Sequence, residues 1–423
     1  MGWKRSLLNA HIRMGRYSVK VKTLIVLWML CFFGAWVMYF SYNGSPDICR
    51  PESAKEFICE NYNKGVIAGS MCEELCQQTK ITLDSCVSQD AFHQTYIGTL
   101  KKPPKQRKNM DEPLYIKQSL NPAEVSFQKP ASGSSMEDLR IMISAYLKRH
   151  LGDGGNIDSI QSRILNLADS NNDGKVSLPE ARSVWALLQS KEFLIMMVLG
   201  DSDYIPRLLG FCGNMYIMEG IRAFRLFGTE FPPLLDFVLP NSAKMYFQRK
   251  IAPPWTDRAH IVVGLLEFVE EIMEGPAGNL YMCHVNERGI GYTAYSDVKI
   301  LRLEGVLTEQ AVKTSLQDRT CFGDWDCMLG ENCRSPCDKS GKCSGEMIQP
   351  NLQRVCHMLT VYLLDNAPSD VHQELEDLLG KCKRLEFGSK NMHMDHSLVL
   401  NNLKSLLWKQ VSHLKKFSKT SRS

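Results

Sequence analysis

The oxygen-bearing side chains of DSNNDGKVSLPE, Asp169 to Glu180, fall at the spacing that a calcium ion demands. Calcium takes roughly 6–8 oxygen ligands, and an EF-hand loop supplies them from positions one, three, five, seven, nine and twelve, with glycine at the sixth. Asp169, Asn171 and Asp173 fill the first three, Lys175 offers its backbone carbonyl, Ser177 stands ninth, and Glu180 closes the loop as the bidentate carboxylate. Gly174 is sixth and the apolar Val176 eighth. The competing reading is a solvated Asn/Asp turn between helices. No second loop of this kind occurs, and EF-hands ordinarily pair, so this one is expected to bind weakly, near ~10⁻⁴ M.

The second chemical resource is cysteine, of which the chain has 15. Cys31 lies in an apolar run, and the even remainder begins with a cluster from Cys49 to Cys86. A second cluster, Cys321 to Cys343, sits in a stretch too polar to bury a core. Disulfides in an oxidising lumen are expected to replace that core. Zinc is the rival, but neither cluster has paired C-x-x-C knuckles or a spaced histidine pair. Spacing leaves the connectivity open. No G-x-S-x-G, H-E-x-x-H or Walker loop is present.

Several elements must position these groups. Apolar periodicity predicts helices over Glu137 to His150, Ile157 to Ala168, Ala181 to Leu199, Asp257 to Glu274 and Met394 to Leu414. Thr256 is the candidate N-cap of the fourth, and Gly275 its stop. Extended runs lie at Leu114 to Ile116, Val125 to Phe127, Leu208 to Phe211, Met215 to Met218, Leu280 to Cys283 and Val298 to Leu303. A domain boundary is expected near residue 90, where the first cysteine-rich stretch ends. The basic C-terminal helix, with Leu403, Leu406, Leu407, Val411 and Leu414 along it, reads as a docking helix or as one lying on a membrane.

Thr23 to Tyr42 is uncharged and about as long as a helix needs to cross a bilayer core. It is longer than a signal-peptide core and lacks an Ala-x-Ala end, which favours an uncleaved anchor over a cleaved signal. Six basic residues precede it, so the positive-inside rule puts the N-terminus in the cytosol and the bulk of the chain in the lumen. Net charge is +4, and without those six it is −2, which argues against nucleic acid as a partner. Asn43-Gly44-Ser45 is a glycosylation sequon beside the span.

The order of these pieces resembles the divergent protein kinase domain 1 family, cysteine-rich type II membrane proteins of the endoplasmic reticulum. The resemblance spans essentially the whole chain. It rests on the basic N-terminus and apolar span, both cysteine clusters, DSNNDGKVSLPEARSVWALLQSKEFL, LLGFCGNMYIMEG, KIAPPWTDRAHIVVGLLEFVEEIMEGPAGNLYMC, IQPNLQRVC and HSLVLNNLKSLLWK. It implies an α+β, two-lobed protein-kinase-like fold behind a single-pass N-terminal transmembrane helix, with an EF-hand insert and disulfide-rich segments. The expected division is a cytosolic tail (1–22), anchor (23–42), lumenal cysteine-rich segment (43–92), small lobe (93–230, EF-hand at about 157–192) and large lobe (231–423, cysteine-rich insert 321–343, C-terminal helix).

The resemblance also assigns site positions. Lys117 is the candidate nucleotide lysine, Glu192 its candidate ion-pair glutamate, and Glu219 the hinge. A kinase needs an Asp to accept the substrate hydroxyl proton, an Asn five residues on for metal, and a second Asp on the next strand for Mg²⁺. Here His284, Gly289 and Arg302 stand at those three positions. Slips of alignment would bring Asn286 or Glu304 into play. The departures argue against productive use of ATP and Mg²⁺, leaving Ca²⁺ as the expected cofactor. The resulting expectation is a pseudokinase that binds an unknown lumenal protein, and the alternative is a divergent kinase acting on lumenal or secreted proteins.

Overall fold

A computed structural model describes residues 23–36, 49–89, 93–101, 112–120, 136–152, 156–221, 223–226, 239–240, 243, 246, 252–273, 275, 278–285, 289–387 and 392–420. Residues 23–36 form one helix with its apolar side chains exposed, Trp28 at 64% and Phe33 at 62% among them. Among the described residues no helix is long and apolar enough to cross a membrane. The rest of the expected anchor, the cytosolic tail, the Asn43 sequon and the run from Val125 to Phe127 lie outside the described residues.

Residues 51–423 form a compact α+β unit. Its small lobe is built on an antiparallel sheet of β1 (Ile81–Gln89), β2 (His93–Leu100), β3 (Glu112–Ser119), β4 (Leu208–Cys212) and β5 (Met215–Glu219), in the order β1-β2-β3-β5-β4. The boundary expected near residue 90 is corrected here, because it would cut the β1–β2 hairpin, in which Ile81 opposes Leu100 and Gln89 opposes Gln94. The cysteine-rich segment is thus part of the sheet, and it is tied again to β4 by the Cys72–Cys212 disulfide. β2 went unread because its sequence, HQTYIGTL, has only two strongly apolar residues in succession before its last position, and they point to opposite faces.

Helix α1 (Pro51–Asn63) precedes the sheet, and between β3 and β4 come α2 (Met136–Leu151), α3 (Ile157–Ala168), α4 (Leu178–Leu188) and α5 (Lys191–Leu199). The single helix expected over Ala181 to Leu199 is therefore two. Gln189 closes the first and Ser190 caps the next, its side chain accepting from the Phe193 backbone N–H. That restart matters, because it sets Glu192 in the first turn of α5.

The large lobe is organised by α6 (Trp255–Met273), whose Ile261, Leu265, Phe268 and Ile272 are fully buried. Thr256 is not its N-cap. The helix already includes Trp255, and the Pro254 carbonyl accepts from the Arg258 N–H. Short strands follow, β7 (Leu280–Tyr281), β8 (Ile290–Tyr292) and β9 (Val298–Ile300), with β6 (Phe224–Arg225) beside β8. Then come α7 (Glu309–Leu316), α8 (Asn351–Leu364), α9 (Ser369–Cys382) and α10 (Met392–Thr420). α10 docks on α6: Leu403, Leu407 and Val411 are buried, Lys404 pairs with Glu270 at 2.7 Å, and Trp408 stacks on His260. Its apolar stripe packs against protein.

The polar cysteine-rich insert is held as the sequence required, by Cys321–Cys337 and Cys327–Cys343, and Cys283–Cys333 anchors it to the strand ahead of His284. Cys59–Cys76 and Cys356–Cys382 are further bridges beside Cys72–Cys212, and Cys49 and Cys86 are disulfide-bonded as well. The sulfurs of Cys321, Cys327 and Cys343 gather within 4.8 Å, but each is committed to a disulfide and offers no thiolate to a metal.

Candidate functional site

Two sites meet in the small lobe. The first is the cleft below its sheet. Lys117 on β3, opposite Tyr216 on β5, donates to both carboxylate oxygens of Glu192, at 2.6 and 2.7 Å. Both side chains are buried, and the Tyr216 hydroxyl adds a third bond to Glu192 at 2.9 Å. Burial works to lower the Lys117 pKa, but the Glu192 carboxylate, with Glu304 behind it, outweighs burial and holds the ammonium above its ordinary pKa. A buried ammonium fully engaged by a carboxylate is a rigid point charge, the form in which a lysine holds phosphate oxygens.

The large-lobe wall carries the other three positions. His284 is exposed, and its backbone N–H donates to the Gly305 carbonyl at 3.0 Å. Its ring lies against Gly330 of the cysteine-rich insert. That glycine has φ +66°, and a Cβ there would fall 2.6 Å from Nδ1 of His284, so close approach requires glycine on both counts. Gly289 and Arg302 are neighbours: a Cβ on Gly289 would touch the Arg302 Cβ at 3.6 Å, and the Gly289 carbonyl accepts from the Leu301 N–H. The structure therefore brings together the two positions expected to hold metal ligands, yet they carry a hydrogen and a guanidinium instead of amide and carboxylate. Asn286 lies outside the described residues. Glu304 reaches the same cluster, interacting with Lys117, Glu192 and Arg302. Although the residue is solvent-exposed, partial burial of its carboxyl, followed by the Glu192 charge, raises its pKa. Glu219, the expected hinge, ends β5 and accepts from the Arg207 N–H at 3.0 Å.

Two asparagines that the sequence did not single out fix this wall. Asn332 donates to the carbonyls of Met282 and Val285, and Asn351 bridges the Met282 N–H and the Leu280 carbonyl. They splint the backbone on both sides of His284. Nothing in their spacing announces that role, nor that of Tyr216, which sits in an apolar strand.

The second site is the loop between α3 and α4. Asp169 accepts from the N–H groups of Asp173 and Gly174, Asn171 from that of Asp173, and Asp173 from that of Lys175. These bonds wind the loop inward, with Asn172 at φ +56° and Gly174 at +76° making its sharp turn. Glu180 is buried at the far end. One oxygen accepts from the backbone and hydroxyl of Ser170, the other from those of Ser177, which also caps α4. Burial pushes the Glu180 pKa up, and the four bonds more than reverse it, so the carboxylate stays ionised. The oxygen donors of Asp169, Asn171, Asp173 and Ser177 thus share one loop closed by an anionic Glu180, a hard-oxygen set that fits calcium in kind.

Against known families, residues 184–385 match the one described as the protein-kinase domain of FAM69, and residues 15–166 match its N-terminal cysteine-rich endoplasmic reticulum segment. The chain belongs to the FAM69 family. The two matched regions meet around the calcium-type loop, so in this FAM69 member the loop falls at the junction of the cysteine-rich and kinase-like parts. The fold and the family agree on a kinase-like body stapled by disulfides.

Proposed function

We propose that this FAM69 member is a calcium-binding pseudokinase anchored in the endoplasmic reticulum membrane by a single span, its body lumenal, working by binding a lumenal protein partner. The observation that carries this reading is Arg302 packed beside Gly289. Phosphoryl transfer depends on positioning and on neutralising developing charge. A guanidinium where a metal carboxylate should stand reverses the local sign, and Gly289 supplies no oxygen from its side chain. The residues at the metal end of the cleft thus do not fit Mg²⁺. His284, exposed at the base position, could take a proton, but it would leave the charge on the phosphate unsupported. The Lys117–Glu192 pair is retained, which supports a cleft kept for structure or for partner binding.

The loop from Asp169 to Glu180 supports calcium binding with a structural effect. Asp169, Asn171, Asp173, the Lys175 carbonyl, Ser177 and Glu180 would hold the ion, whose charge would relieve the repulsion among three carboxylates. The loop leads through α4 to Ser190 and Glu192, so ordering it steadies the helix that supplies the cleft.

The test is to assay the full-length chain beside the triple variant His284→Asp, Gly289→Asn, Arg302→Asp for phosphorylation of itself and of generic substrates with ATP and Mg²⁺. Gly289 has room for a side chain at ordinary contact distance, so the variant is expected to fold. The expected result is no activity in the wild type. Robust Mg²⁺-dependent activity in the wild type, lost in Lys117→Ala, would establish the alternative of a divergent kinase. The proximity of Glu304 to Lys117 favours that alternative, with Glu304 as the substitute metal ligand.

A further inference from the structure

We infer that Arg334 and Arg354 form a binding site for a doubly charged oxyanion, a phosphate group, beside the degenerate catalytic loop. Arg334 follows Cys333, whose disulfide partner Cys283 immediately precedes His284. Its Nε is sealed from solvent without a hydrogen-bond partner, and its guanidinium lies over the Trp325 ring at 5.2 Å. Arg354 projects from the first turn of α8, and its Nη1 is likewise sealed and unpartnered. Burial, with the Arg334 charge second, drags the Arg354 pKa down to about 10, and among the described residues no carboxylate offsets that repulsion.

A guanidinium with buried, unsatisfied donors is costly, and two whose charges repel each other are costlier. The helix makes matters worse. A helix N-terminus carries partial positive charge, so an arginine there has the disfavoured sign. The first turn of α8 has no acidic residue, and Pro350 ahead of it provides no side-chain cap. The two guanidinium charges and the helix N-terminus therefore add positive potential here, and among the described residues no anion offsets it. Countercharge from outside the chain resolves the imbalance. Two monocations and a helix N-terminus match a dianion better than a single carboxylate, and the planar forks of two arginines suit the oxygens of phosphate. The same chemistry is offered by inorganic phosphate and by a phosphorylated protein side chain. The site uses none of Lys117, Glu192, His284, Gly289 and Arg302, and it does not depend on whether the cleft transfers phosphate.

The test is thermal unfolding of the full-length chain in detergent, in sodium phosphate against sodium chloride at equal ionic strength. A phosphoserine peptide is compared in parallel with its unphosphorylated form. Phosphate is expected to raise the wild-type midpoint by a few degrees, and Arg334→Gln and Arg354→Met are each expected to abolish that shift. Arg140→Gln, an exposed change on α2, should leave it intact. Should Arg354→Met fail to fold, Arg354→Lys keeps the charge, loses the fork, and is expected to need several-fold more phosphate for the same shift. Stabilisation by the phosphopeptide alone supports the site and names a phosphorylated protein as its ligand, and stabilisation by both supports it for phosphate in general. A wild type that melts alike in phosphate, chloride and both peptides overturns the proposal. So does a phosphate shift that survives in both arginine variants.

Discussion

Glu180 is the residue on which the calcium reading turns. It is buried, ionised and held by four bonds from Ser170 and Ser177, so one carboxylate closes the loop and fastens the start of α4. Glu180→Gln keeps the shape and removes the charge. Calorimetry on the wild type is expected to give one calcium site per chain, and on the variant a site weakened at least tenfold or lost. Equal binding by both would make the loop a polar turn. The proposed ligand residues stand out in the sequence because an EF-hand is a local device in which sequence spacing is ligand geometry. Arg302 and Gly289 were legible only as departures from a resemblance, since their contact joins residues that flank two different strands, Gly289 just before β8 and Arg302 just after β9.

At the scale of elements, the Cys72–Cys212 bridge closes a loop with a sequence separation of 140 and ties the cysteine-rich segment to β4. Replacing both cysteines by serine is expected to cost about 2–4 kcal/mol, mostly by freeing the unfolded chain, read as a lower urea midpoint with the cleft unfolding first. The C-terminal helix offers a second test. Leu407 is fully buried between α10 and the rest of the large lobe, and Leu407→Ala is expected to cost about 2–5 kcal/mol, as a large-to-small core change does. Unchanged stability in that variant would return α10 to the membrane-surface reading. Helix periodicity found α10, α6 and α3 because each carries an apolar stripe. It ran Ala181 to Leu199 together because α5 is apolar all round and only the Ser190 cap marks the break.

For the whole molecule, the proposed topology has one decisive readout. In sealed microsomes, external protease is expected to remove a tag at residue 1 and to leave a C-terminal tag protected. The reverse would overturn the lumenal placement. The disulfides agree with an oxidising compartment, since six are formed among the described residues of the body and the described free cysteine, Cys31, lies in the N-terminal helix.

By itself the sequence determined what depends on short spacing: the Asp- and Asn-rich loop between two helices, the apolar stretch after a basic tail, the clusters of cysteine and the amphipathic helices. Each is a property of neighbours along the chain, where a few residues fix both composition and geometry. Tertiary structure decided what depends on distant residues meeting. The β1–β2 hairpin merged the cysteine-rich segment with the sheet, and the bridge from Cys283 to Cys333 carried a distant insert to the wall of the cleft. Asn332 and Asn351 became splints, and Arg334 and Arg354 became an unneutralised pair, only once long loops had closed. The free energy of such contacts depends on burial and on which charges end up facing each other, and neither quantity is written in the spacing of one segment.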